Sequence, residues 1–273
     1  MSSFISWVKK YPMTMLLIIC CLIGGPYFGG QRVIEAYENY MGKAKGADVL
    51  EEWTQKAMKQ QTLMKADAQG TKEQQVAQKG GPFVDVDQSY LDDAVFIGDS
   101  RTDTLKMYAG WDNATYYVKT GTNIWDIMDV VPDDENITID EELQKHQFGK
   151  VYIMLGVNEL GTGTAETYYQ QFKKVVERIR ELQPDALIFV ESIIHVSALK
   201  DAEGTVINNK EINARNKWLK KLADNKTIFY LDYNDVLDDE NGALKADSTF
   251  DGVHLQADQL EPWKEYILSH GVQ

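Results

Sequence analysis

A short apolar run, Ala94 to Ile97, ends in Gly98 and is followed at once by Asp99, Ser100 and Arg101. Far downstream, Asp251 and His254 stand three residues apart, close enough for one loop to present both. A serine hydroxyl is a poor nucleophile until a base takes its proton. An imidazole takes it well when a carboxylate holds the ring in one tautomer. Ser100, His254 and Asp251 are therefore candidates for nucleophile, base and orienting acid in acyl transfer. That chemistry passes through an oxyanion, which needs hydrogen-bond donors. The backbone N–H groups of Ser100 and Gly121 and the side-chain amide of Asn158 are the candidates. Glycine permits close backbone approach, and asparagine offers an NH₂ that does not titrate.

Taken singly, each residue has a plainer reading. Ser100 fits a helix N-cap, and Asn158 fits a turn. Asp99 reads as a second cap or a holder of the loop, with no catalytic role. Arg101 reads as a surface ion-pair residue, with substrate contact as the lesser alternative. His195 follows a strand end, where lining the pocket is the alternative, and is assigned a structural role, while His146 and His270 are expected to be solvated. The Asp-x-x-His spacing is half of a metal site, but no second cluster at suitable spacing accompanies it. No metal and no cofactor is called for.

The elements that must position this set alternate along the chain. Apolar strands are expected at 94–98, 114–120, 150–156, 186–193 and 227–233, with helical patterns between them. These include a short helix over 103–108, NIWDIMDVV after the second strand, and the long amphipathic TAETYYQQFKKVVERIRELQ after the third. EINARNKWLKKLAD follows the fourth strand, and a terminal helix begins near Pro262. This alternation predicts an α/β fold, a five-stranded and mainly parallel sheet with helices on both faces. Functional groups in such a sheet gather beyond the carboxyl ends of the strands. Ser100, Gly121, Asn158, His195 and the Asp251–His254 loop all follow strands, so one edge would collect them.

The blocks FIGDS, the isolated Gly121, GVNE and DGVHL resemble those of the SGNH, or GDSL-like, hydrolases. Ser100, Gly121, Asn158 and His254 are the four residues that match the family's name. The resemblance covers roughly residues 93 to 270. It implies a three-layer α/β/α sandwich of flavodoxin-like type and ester chemistry, but not a substrate; the expected partner is an acyl ester of a carbohydrate or lipid. The family pattern has Asp after the third-block Asn, where this chain has Glu159. The α/β-hydrolase elbow G-x-S-x-G does not fit, because Thr102 stands at the last glycine position.

The chain has 273 residues and a formal net charge of −14, which argues against a nucleic-acid partner. Both cysteines, Cys20 and Cys21, lie in an apolar run, so nothing points to a disulfide framework. Residues 11–30 contain no charged side chain and follow Lys9 and Lys10. That length suits a bilayer-spanning helix, and the basic flank places the N-terminus in the cytoplasm and the bulk outside. A cleaved signal peptide is the rival, but no small-x-small site closes the run. The expected organisation is a cytoplasmic tip and transmembrane anchor over 1–30, a helical stalk and polar linker over 31–82, and a catalytic domain over 83–273. Three functions follow: an extracytoplasmic esterase, an O-acetyltransferase working beside a membrane acyl-donor protein, and a non-catalytic envelope scaffold.

Overall fold

The structure is a computed structural model and describes residues 82–273. The expected anchor, stalk and linker lie outside the described residues, Pro82 apart. Among the described residues no helix is long and apolar enough to cross a membrane.

Five strands form the sheet: β1 (Ala94–Gly98), β2 (Thr115–Val118), β3 (Lys150–Met154), β4 (Leu187–Glu191) and β5 (Ile228–Leu231). Every pairing is parallel, in the order β2-β1-β3-β4-β5. β1 and β3 are buried along their whole length, which is why they read as apolar runs, broken only by Lys150 at the start of β3. The helices are α1 (Ser100–Tyr108), α2 (Ile139–Lys145), α3 (Ala165–Leu182), α4 (Ala198–Asp201), α5 (Asn209–Leu219), α6 (Asn234–Leu237) and α7 (Glu261–Leu268).

Alternate residues along each strand face opposite sides, and each side builds its own core. Val95, Ile97, Val151, Ile153, Ile188 and Val190 pack with α2, α3 and α5. Phe96, Tyr152, Met154, Phe189 and Phe229 pack with α1, α6 and α7. The result is helix, sheet, helix in three layers. On the second face one aromatic stands on every strand at the same register: Tyr116, Phe96, Tyr152, Phe189 and Phe229. Neighbouring rings stack at centroid distances of 4.5 to 5.6 Å, a cross-strand pairing that fixes register as well as burying area.

Local signals start the helices. Thr138 and Glu141 cap each other's backbone N–H groups at α2, Thr164 and Thr167 do so at α3, and Asn208 accepts from Glu211 N at α5. Pro262 stands in the first turn of α7, where its missing N–H costs nothing. One expected helix is absent. NIWDIMDVV forms only a 3₁₀ turn at Ile127–Asp129. Its backbone is committed elsewhere: Ile124 N–H donates to the Glu159 carboxylate at 2.5 Å and Val130 O accepts from Ile139 N at 2.9 Å. Just downstream, Asp133 N–H donates to Val118 O at 3.2 Å.

The strand order decides where chemistry sits. From β1 the chain moves outward to β2, then returns to β3 on the other side of β1. Loops leaving β1 and β3 therefore part in opposite directions and open a crevice at their carboxyl ends. Ser100 follows β1 and Asn158 follows β3.

Candidate active site

Ser100 is the first residue of α1, directly beyond β1. The cap of that helix is Asp99, whose Oδ1 accepts the Arg101 N–H at 2.9 Å. Ser100 is thus free of capping duty, and its Oγ lies 2.9 Å from His254 Nε2. As a first-turn residue it also presents a backbone N–H with no acceptor inside the helix.

The imidazole comes from the loop before α7. His254 Nδ1 lies 2.7 Å from Asp251 Oδ2, so Nδ1–H donates to the carboxylate and Nε2 is left as an acceptor for the serine hydroxyl. Asp251 Oδ1 holds the loop itself, accepting from Val253 N and His254 N at 2.8 Å each. Burial pushes this carboxyl up, but those backbone donors and the ring overcome it and hold Asp251 well below the usual range. Gly252 sits between the pair at φ +81°, the left-handed region that favours glycine. A Cβ there would meet Ser197 Oγ and Lys200 Cβ at 2.7 Å. The Gly252 carbonyl accepts the Ser197 N–H at 2.9 Å, which seats the loop on the segment leaving β4.

On the other side of Ser100 stands the turn after β2. Lys119 N–H donates to Gly98 O at 3.2 Å, which ties the turn to the end of β1. Gly121 follows at φ +79°, solvent-exposed, with open space where a Cβ would be. Asn158 Nδ2 donates to Thr122 O at 2.8 Å and to Asp99 Oδ2 at 3.3 Å. The amide therefore bridges the turn, the capping acid and the crevice. Its longer bond is the one an incoming oxyanion would replace, since unliganded sites often hold such donors loosely. Ser100, Gly121, Asn158, Asp251 and His254 thus gather around the carboxyl ends of β1, β2 and β3.

Glu159, the departure from the family pattern, is buried and draws the chain around Ile124 toward β3 through its 2.5 Å bond. Burial raises its carboxyl to about 7. Its longer side chain reaches the loop beyond Gly121, a role its position beside Asn158 signals but its charge hides.

Arg101 corrects the surface reading. It is only 3% exposed, and its Nη1 donates to Ile194 O at 2.8 Å. The segment after β4 folds over α1 and covers it. His195 is buried between Asp238 and Asn213, consistent with a structural part. His146 is exposed at the end of α2. His270 is half-buried, not solvated, because its ring stacks on Tyr266 at 3.9 Å.

A serine, an imidazole and a carboxylate in hydrogen-bonded sequence at the crevice of a doubly wound sheet make an acyl-hydrolase architecture, and this protein is a hydrolase of ester bonds. It belongs to the GDSL-like lipase/acylhydrolase family, whose model matches residues 96–258. Solved structures are similar to the chain. A Streptococcus pneumonia protein provisionally called a platelet activating factor aligns with TM-score 0.52 and 20% identity, over 83% of this chain and 98% of its own. A GDSL-like lipase from Bacteroides thetaiotaomicron aligns with TM-score 0.49 and 16% identity, over 64% and 86%. A carbohydrate acetylesterase family member from Sinorhizobium meliloti aligns with TM-score 0.42 and 18% identity, over 64% and 98%. No curated protein matches the sequence.

Proposed function

We propose that the protein is a membrane-anchored, extracytoplasmic esterase that removes O-acyl groups, acetyl above all, from glycans of the cell envelope. Ser100 Oγ attacks the ester carbonyl while His254 Nε2 takes its proton, and Asp251 stabilises the imidazolium. The N–H groups of Ser100 and Gly121 and the Asn158 amide receive the oxyanion. His254 then gives the proton to the departing alcohol, which leaves an acyl-serine. Water, deprotonated by the same imidazole, attacks the acyl-serine; His254 returns the proton to Ser100 as the acid departs.

The observation that carries the reading is the 2.9 Å approach of Ser100 Oγ to His254 Nε2. The tether rests on the uncharged run 11–30 behind Lys9 and Lys10, and the envelope as substrate rests on that tether. Ser100→Ala should lower turnover of a small chromogenic acetyl ester by about 10⁴-fold or more and abolish labelling by a serine-directed phosphonate. Full activity in that variant overturns the assignment. Product analysis with acetylated envelope polysaccharide tests the substrate: free acetate is expected, while acetate moved to a second glycan would make the protein a transferase. Protease treatment of intact cells tests the topology, since an exposed catalytic domain is cut and a cytoplasmic one is protected.

A further inference from the structure

Arg101 is the residue the scheme above leaves unused, and its setting is costly. Its side chain is buried, yet among the described residues Nε and Nη2 have no hydrogen-bond partner. Desolvating a cation and leaving donors unpaired both cost free energy. Burial lowers the guanidinium to about 10, so it remains charged at neutral pH. Its charge interacts with those of Asp99 and Asp251.

One connection runs from this side chain to the histidine loop. Arg101 adjoins Ser100 on α1 and holds Ile194 O at 2.8 Å. Three residues on, Ser197 N–H holds Gly252 O at 2.9 Å, between Asp251 and His254. The nucleophile's helix is thereby coupled to the histidine loop through one guanidinium and one extended segment.

We propose that Arg101 is a positioning residue for this reaction: it couples the nucleophile's helix to the histidine loop. The proposal rests on the Ser100–His254–Asp251 reading. Arg101→Met removes the tether, and Arg101→Lys keeps a single donor in its place. In Arg101→Met kcat should fall roughly 10- to 100-fold while KM holds within about twofold, and Arg101→Lys should recover part of that loss. A folded Arg101→Met with wild-type kcat overturns the proposal. If Arg101→Met does not fold, Arg101→Lys carries the test: a kcat about tenfold down with KM unchanged supports the proposal, and wild-type kcat there overturns it. Failure of the triad itself looks different: Ser100→Ala would then stay active.

Discussion

Among the described residues are two histidine–aspartate pairs with the same bond and opposite surroundings. His254 and Asp251 meet at 2.7 Å, and so do His195 and Asp238. In the first pair the side chains are 40% and 54% exposed, in the second 8% and 12%. His254 turns its other nitrogen to a serine hydroxyl; His195 turns its own to Asn213 Oδ1 at 3.0 Å. With acceptors on both nitrogens, His195 must donate from both, which calls for the charged ring. It has no nucleophile to serve and no access to a substrate. A histidine–carboxylate pair is thus chemically idle until its free nitrogen faces something that needs a base.

The buried pair still supports the exposed one. His195 lies on the segment Ile193–Ser197, whose backbone is fastened by three asparagine side chains. Asn216 brackets Ile193, Asn209 brackets Val196, and Asn234 accepts from His195 N. The His195–Asp238 bond draws this segment toward α6. The same segment carries Ser197, on which the Gly252 carbonyl rests.

The comparison breaks most sharply if the two histidines are exchanged in role. His254→Ala should cost about 10⁴-fold or more in kcat/KM and leave the melting temperature near wild type. His195→Ala strands a buried Asp238, so it should cost about 3 to 5 kcal/mol of stability while the folded fraction keeps most of its activity. Urea unfolding and initial rates at low temperature separate the two effects. A folded His195→Ala as inactive as His254→Ala would mean that the buried pair takes part in the chemistry.

Asn158→Ala is a smaller blow on the catalytic side. Loss of one oxyanion donor should lower kcat about 10²- to 10³-fold, with KM little changed. A change confined to KM would place the amide on bound substrate rather than on the transition state.

Much of this contrast was legible in the sequence, and the part that was not has a physical pattern. Asp251 and His254 share a loop, so their meeting needs only local geometry. Ser100 and Asn158 follow apolar strands, and parallel order alone puts them at one edge. His195 could be read as structural, but its partners come from α5 and the residue after α6, beyond any local signal. Arg101 misleads because its burial is decided by a segment about 90 residues away. NIWDIMDVV misleads for the same reason: its apolar spacing suits a helix, while Glu159 and the return toward α2 claim its backbone. Resemblance to the family supplied the blocks, and the fold supplied what lies behind them.

The finest separation of the two pairs is in the sign of their pH dependence. Asp251 is held below its ordinary 3.8, so its contribution to stability is present above that pH and is lost on acidification through its folded value. For His195, burial opposes the charged ring, but Asp238 and Asn213 outweigh it and raise the ring above its ordinary 6.5. Its contribution is therefore complete below that pH and is lost as pH rises through the folded value. Melting temperatures of Asp251→Asn and His195→Gln, each subtracted from wild type, should show opposite trends. The Asp251→Asn difference should shrink below about pH 4, and the His195→Gln difference should shrink above about pH 6.5. A His195→Gln difference that stays flat from acid to alkaline pH would mean that the buried imidazole is neutral in the fold. The two pairs would then differ in access alone, not in charge.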